Sequence, residues 1–464
     1  MDARLSSARS QFQGLDWPRV VDLATQGQML IAAHPGTSTP ARAWRLQGEL
    51  MRRAATFRTA DSIPWRVAVE PPRLSNAQVA VLSRLGQLFE RFLAAVTAVL
   101  PHHEALRSFV GFPIWPEEAA LLAGLGSARP VFFRLDVMPD ADGELQVLEL
   151  QTVSGGMGIT TALREVYGPD PRFPGLPELL GPALFREVQA WRHCRGLPEL
   201  LRPVAGVLVN AENDYRYELL TLASRLAEVE LVVSPWRVSR GVQFPSLADG
   251  RRPDLLFRFF QTPAILASRS AFKRQLVEQI ARGELQMLNP WVDLWDDKRL
   301  LALVHHPLVN TWLGAALDVG EVAWLRQHVP DTWLLTPTSL SELIGKPRAD
   351  RGVYLKRGRS AMARGMIDGQ QENRHRFDEL AKAAAQAKEW VVQRAVRGKP
   401  WSFEYLDTSD SSLKTMQGYV RLSPFYVRLA DGTMQLADVS VTARPSRSRV
   451  HGAADACLVV PVGQ

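Results

Sequence analysis

Cysteine is almost missing from this sequence: Cys194 and Cys457 are the only two, far apart and outside any CxxC or zinc-ligand spacing. That excludes a disulfide framework and a structural zinc site, and leaves both thiols as packing residues. No stretch approaches the roughly 20 apolar residues a helix needs to span a bilayer, and the opening MDARLSSARSQFQG carries no apolar signal core. The expectation is a cytoplasmic protein without a membrane partner. Internal repeats and low-complexity tracts are lacking too, as are the GxxxxGK[ST], HExxH and GxSxG signatures.

What is present is a globular balance, 46% hydrophobic and 22% charged over 464 residues, which at roughly 100 to 200 residues per domain suggests two to four compact units. The formal charge is +7, with arginine supplying most of the excess, and this favours anionic partners such as phosphates and carboxylates. The basic residues form no block and do not interleave with aromatics, so no nucleic-acid partner is expected. The pairs His102-His103 and His305-His306 lack acid or cysteine partners at metal spacing and read as helix-boundary residues. Thirteen tryptophans, Trp115, Trp291, Trp295 and Trp401 among them, read as packing anchors.

Periodicity divides the chain. Apolar residues at three- and four-residue spacing predict a helical region over 1–105, with NAQVAVLSRLGQLFERFLAAVTAVL ending at Pro101. Strand, turn, strand, glycine loop and helix follow within 106–200. From about 203 to 290, VAGVLVN, YRYELLTLASRLAEVE, LVVSP and PDLLFRFF alternate strand with helix and predict a parallel α/β unit, taken as 201–292. An α+β region occupies 293–464: a helix in DDKRLLALVHH capped by Asp296 or Asp297, strands in GVYLKRG, WVVQRAV, YVRLSPFYVRL and ACLVVPV, and an exposed turn over 345–352.

One segment concentrates polar residues on a single face. VFFRLDVMPDADGELQVLELQ predicts an antiparallel hairpin around Asp140-Ala141-Asp142-Gly143. Pairing Asp136 with Val147 and Arg134 with Glu149 puts Arg134, Asp136, Glu149 and Gln151 on one face, and Phe133, Leu135, Val137, Leu148 and Leu150 on the other. Converging carboxylates suit a hard cation, so Glu149 and Gln151, supported by Asp136, form a candidate Mg²⁺ platform. A solvated amphipathic hairpin with an Arg134 to Glu149 pair is the other reading. The following loop, Ser154, Gly155, Gly156 and Gly158, brings backbone amides to a helix start, where an anion is favoured. It is no dinucleotide fingerprint, because Thr161 holds the third glycine position.

The order of these motifs, an Arg-x-Asp strand, a Glu-x-Gln strand, a Ser/Gly loop, an α/β insert, DDKRLLALVHHP, YLKRG and VVQRAV, resembles the circularly permuted ATP-grasp ligases, eukaryotic glutathione synthetase and its bacterial relatives, over residues 110–464. The resemblance implies an ATP-grasp fold with an inserted α/β substrate-binding domain, and an ATP- and Mg²⁺-dependent ligase joining a small carboxylate to an amine, in a possible homodimer. It implies metal ligation by Glu149 and Gln151, acyl-substrate contacts from Arg134, Ser154, Gly155 and Gly156, and an acid-binding Arg258. ATP contacts fall to Lys298 and Lys356, adenine contacts to the backbone around Val392 and Arg394 and to Gln393, and a place near the second substrate to Arg444. Where the family carries a glycine-rich lid with a further metal glutamate, this chain has RGRSAMARGMIDG, with Ser360 near the acid's position and Arg359 and Arg364 available to a γ-phosphate. A nucleotide-binding or scaffold protein that keeps the fold without the chemistry is the alternative.

Overall fold

Ser75 opens the long helix Asn76–Val99: its side chain accepts from the Gln78 amide, and the Gln78 side chain accepts from the Ser75 amide, so two orphan donors are satisfied reciprocally. Its apolar stripe, including Leu82, Leu85, Phe89, Phe92 and Val96, packs on the apolar face of the largest sheet through Phe133, Leu135, Val137, Leu422 and Val439. Gly86 makes this contact possible, since a Cβ there would lie 2.2 Å from the Tyr426 ring. The Tyr426 hydroxyl donates to the Leu82 carbonyl at 2.8 Å.

The computed structural model describes residues 17–53, 66–113, 117–124, 129–209, 217–235, 247, 251–259, 271–360, 365–407, 410, 412–446 and 456–462. Among them are fifteen strands: β1 (Arg66–Val67), β2 (Phe132–Pro139), β3 (Leu145–Gln151), β4 (Val204–Val209), β5 (Glu230–Pro235), β6 (Leu255–Phe257), β7 (Gln286–Leu288), β8 (Thr332–Leu334), β9 (Val353–Arg357), β10 (Met366–Asp368), β11 (Trp390–Arg394), β12 (Trp401–Asp407), β13 (Ser412–Arg428), β14 (Met434–Arg444) and β15 (Cys457–Val459). They form three sheets. The seven-stranded one runs β1-β15-β14-β13-β2-β3, with β12 also paired to β13. The four-stranded antiparallel sheet runs β10-β9-β11-β8, and the four-stranded parallel sheet β5-β4-β6-β7. The class is α+β, and the parallel sheet falls where strand and helix alternate between 203 and 290.

Three local expectations are corrected. The helix read in YRYELLTLASRLAEVE is short, Glu218–Ala223, with Tyr217 at its N-cap, and residues 224–229 are turn and bend leading into β5; Tyr215 and Arg216 lie outside the described residues. The N-cap position of helix Arg299–Val304 is Lys298, which makes no side-chain cap bond, while Asp297, one residue earlier, accepts from the Arg299 amide through Oδ1 at 2.9 Å. Within 345–352, Arg351 is buried rather than exposed: its guanidinium lies over the Phe377 ring and donates to the Glu372 carbonyl. Trp291 and Trp295 are core residues, whereas Trp401 is half-buried against the core and Trp115 lies outside the described residues.

The hairpin register also differs. Its loop closes over five residues, with the Asp140 amide donating to the Glu144 carbonyl and Asp140 Oδ1 accepting from Asp142 and Glu144. Arg134 therefore opposes Gln151 and Asp136 opposes Glu149, then a shift after Asp136 brings Val137 opposite Val147. The extra residue at the shift is Leu148. A bulge of this kind returns Val147 to the apolar face, where it is fully buried, and takes Leu148 out of it.

Candidate functional site

Alternation along four adjacent strands gives the seven-stranded sheet one polar face. Arg134 and Asp136 lie on β2, Glu149 and Gln151 on β3, Arg421 and Ser423 on β13, and Ser440 and Thr442 on β14, with Arg421 opposite Thr442 and Ser423 opposite Ser440. Asp136 is the hub. Its Oδ1 accepts from Arg134 Nε at 3.0 Å and from Ser423 Oγ at 3.3 Å, and its Oδ2 from Arg421 Nη1 at 3.0 Å. Burial alone would raise this carboxyl, but the two guanidiniums and their hydrogen bonds hold it below its usual range. Arg134 is bound on every nitrogen: Nη1 donates to the Gly155 carbonyl at 2.5 Å and Nη2 to Gln151 Oε1 at 2.8 Å. The Arg134 to Glu149 pair of the alternative reading does not form.

The lysines arrive from two other segments. Lys298 Nζ sits 2.9 Å from Glu149 Oε1 and donates to the Ser360 carbonyl at 2.7 Å. Lys356 projects from β9 on the face it shares with Tyr354, away from Val353 and Leu355, which pack on helix Arg374–Gln386. Its Nζ donates to Gln393 Oε1 at 2.5 Å and to the carbonyl of the bulged Leu148 at 3.3 Å. The bulge therefore gives the edge strand a carbonyl that the second sheet's lysine reaches. Burial pulls Lys356 down to about 8, with Glu149 opposing and Lys298 reinforcing the shift.

Gln393 joins this cluster and donates to Thr332 Oγ1 at 3.2 Å. Its strand neighbours do not. The Val392 side chain lies in the core beneath the sheet, and Arg394 pairs with Asp331 on the exposed strand end. Arg359 extends toward Asp297 and Glu389, at 3.8 and 3.9 Å, and Arg364 lies outside the described residues. Arg258 is deeply buried against Asp293 at 2.6 Å. Arg444 ends β14 on the polar face, two positions beyond Thr442.

The glycine loop differs from its expected use. Gly156, at φ +98°, precedes helix Met157–Tyr167, and the amides at this helix start already have an anion: Glu218 Oε1 accepts from Gly156 at 2.6 Å and Oε2 from Ile159 at 3.1 Å. Burial pushes Glu218 up to about 7, against those amides and Arg134, which favour the charged form. Ser154 is buried with its hydroxyl unpartnered among the described residues.

Sequence reading missed Arg421, Ser423, Glu218 and Asn289. The first two carry the same signal as Arg134 and Asp136, polar residues two apart in an apolar strand. Asn289 Oδ1 accepts from the Val131 and Phe132 amides, while its Nδ2 donates to the Phe132 and Thr152 carbonyls, fixing the strand that supplies Arg134. Asp296, expected as a helix cap, accepts instead from the Thr152 amide and hydroxyl at the end of β3. No cluster of three or more His, Cys, Asp or Glu at metal spacing occurs among the described residues, and no helix among them is long and apolar enough to cross a membrane.

No family model matches the sequence, and no curated protein matches it significantly. Among solved structures the chain superposes on a glutathione synthetase-like effector from Globodera pallida, in its apo form, with a TM-score of 0.55 and 11% identity over 96% of this chain and 97% of that one. Looser likenesses are to a candidate γ-glutamylcysteine synthetase from Methylobacillus flagellatus (TM-score 0.39, 11% identity, 82% of this chain and 87% of that one) and to D-alanyl-alanine synthetase A from Vibrio cholerae (0.26, 10%, 52% and 89%). The first shows a shared fold, and the other two carry no further argument.

Proposed function

We propose that the chain is an ATP-dependent carboxylate–amine ligase of the circularly permuted ATP-grasp kind, acting on a small acid and a small amine. The observation that carries this reading is the meeting of Lys298 and Lys356, from separate segments, at consecutive residues of one edge strand: Glu149 Oε1 at 2.9 Å and the Leu148 carbonyl at 3.3 Å. Across this site four cations, Arg134, Lys298, Lys356 and Arg421, face two carboxylates, Asp136 and Glu149. The lysine end of this excess, Lys298 and Lys356 against Glu149, suits a polyphosphate.

Of the three candidate metal ligands, Asp136 is saturated by its own donors and Gln151 Oε1 is taken by Arg134, whereas Glu149 is partly exposed and meets a single exchangeable lysine. One carboxylate fits Mg²⁺, which keeps several waters and binds chiefly through substrate phosphates. Bound there, the ion would supply charge neutralisation at the β and γ phosphates. In the proposed reaction the acid's carboxylate oxygen attacks the γ-phosphorus, the bond to the β-phosphate bridging oxygen breaks, and ADP leaves. The amine nitrogen then attacks the acyl carbon, loses a proton, and phosphate departs. Lys356 and Lys298 hold the phosphate oxygens, Gln393 orients Lys356, and Arg134 keeps the Gly155 carbonyl and Gln151 in place.

The experiment is the thermal unfolding midpoint with and without Mg·ATP for wild type and Lys356→Ala, paired with ADP release from pools of acids and amines. A ligand at about 100 times its dissociation constant adds roughly 2.7 kcal/mol. A wild-type shift that the variant lacks, together with ADP release, is expected. Absence of any shift with Mg·ATP would sink the reading. A second reading, nucleotide binding without chemistry, draws on Ser360 standing near the expected lid acid, and a shift without ADP release from any pool would favour it.

A further inference from the structure

Resting on the ligase reading, the polar face divides into two ends with separate charge balances. At one, Lys298 pairs with Glu149 and Lys356 stands within electrostatic reach of both. At the other, Arg134 and Arg421 share Asp136. The lysine end holds one cation more than its carboxylate neutralises and is the one suited to phosphate, whereas at the arginine end Glu218 also faces Arg134, and the anion site there rests on the unused donors of Arg421.

At the arginine end the two guanidiniums are not equivalent. Arg134, the residue the family resemblance assigns to the acid, spends all three nitrogens on Asp136, Gly155 and Gln151. Arg421 places Nη1 on Asp136 Oδ2 at 3.0 Å and Nη2 on Thr442 Oγ1 at the long distance of 3.4 Å, and its Nε meets no acceptor among the described residues. It has five donors and uses two of them among the described residues. Its side chain retains 16% exposure. Beside it on the same face stand short hydroxyl residues: Thr442 opposite Arg421, and Ser440 opposite Ser423, whose own hydroxyl donates to Asp136.

We infer that Arg421 is the carboxylate-binding residue of the acid substrate, with Arg134 acting as the strut that holds Asp136, and through it Arg421, in position. The ligand class is a small carboxylic acid, received by the free edge of a planar fork that lysine does not reproduce.

The test uses the full chain as wild type, Arg421→Gln and Arg421→Lys, with thermal unfolding followed against titrations of glycine, L-glutamate, succinate and glycylglycine, and separately against Mg·ATP. At least one of the four carboxylates should raise the wild-type midpoint. Arg421→Gln should lose that shift, and Arg421→Lys should need about ten times more ligand for it, while the Mg·ATP shift stays the same in all three proteins. No carboxylate shift in the wild type, or an undiminished one in Arg421→Gln, overturns the assignment. Should the glutamine variant not fold, an unchanged titration in Arg421→Lys overturns it equally. Loss of the Mg·ATP shift in the wild type with an Arg421-dependent carboxylate shift intact would instead remove the ligase reading and leave the carboxylate site standing.

Discussion

Glu218 lies across the start of helix Met157–Tyr167, with one carboxylate oxygen 2.6 Å from the Gly156 amide and the other 3.1 Å from that of Ile159. An amide pair at a helix start is an anion site, and here the chain fills it with its own side chain. Because burial raises Glu218 from 4.5 to about 7, the folded protein holds more protons than the unfolded one between those values. Stability from this group is therefore greatest at low pH and is lost as pH rises from 4.5 to 7, with no further change above. Denaturant titrations at several pH values should show wild type losing about 3 kcal/mol over that window relative to Glu218→Gln, at 1.36 kcal/mol per pH unit. Parallel curves would mean that the amides win and the carboxylate stays charged.

Gly158 is what lets Glu218 come so close. A Cβ at that position would lie 1.9 Å from the Glu218 carbonyl oxygen, a backbone atom that no rotamer change can move away. Alanine ordinarily favours a helix over glycine by about 1 kcal/mol. Here overpacking, at about 1–3 kcal/mol, should outweigh that gain. Gly158→Ala is expected to lower the unfolding midpoint, and a rise would show that the helix and Glu218 separate without cost.

Much of this site could be read from the residues, and the failures have identifiable causes. Alternation alone assembled Arg134, Asp136, Glu149 and Gln151 on one face, and the structure keeps them together even though the pairing register is different. The register was lost to one extra loop residue and one bulge, which depend on Asp140 hydrogen bonds and on the burial of Val147 rather than on local pattern. Lys356 enters the site by its side chain, whereas Val392, expected to act through its backbone, turns its side chain into the core by single-residue alternation. Glu218 was invisible for a different reason. It is 62 residues from Gly156, and no spacing rule links a short helix in one unit to a loop in another.

Lys298 and Glu149 should be energetically coupled. With Lys298 buried and Glu149 partly so, Glu149→Gln strands a buried ammonium that, among the described residues, keeps the Ser360 carbonyl alone. Each single variant, Glu149→Gln and Lys298→Met, should cost about 1–3 kcal/mol, and the double variant should cost less than their sum by about 1–2 kcal/mol. Simple additivity in a double-mutant cycle would show that the pair contributes no more than two solvated side chains.

Lys356 gives a pH signature of opposite sign to that of Glu218. Its folded value of about 8 lies below its ordinary 10.5, so between them the unfolded chain binds the extra proton and stability rises with pH. Lys356→Met has no such proton to lose. Between pH 8 and 10 the wild type should gain about 2 kcal/mol relative to the variant. A flat difference across that range would place the folded lysine at its ordinary value.

Asp136 carries the heaviest load on the polar face, because two guanidiniums and a hydroxyl converge on it. Replacing it by asparagine removes the single anion between Arg134 and Arg421 while leaving both cations where β2 and β13 hold them. Breaking a buried ion pair from one side typically costs about 3–5 kcal/mol, since the remaining charge is left uncompensated. Asp136→Asn should fall in that range. Adding Arg421→Gln removes one of the stranded charges, and Arg134 keeps the Gly155 carbonyl and Gln151 Oε1 as acceptors. The double variant should therefore recover a substantial part of the loss. If it were less stable than Asp136→Asn alone, the cost would lie in packing around Arg421 rather than in charge, and the electrostatic account of this face would fail.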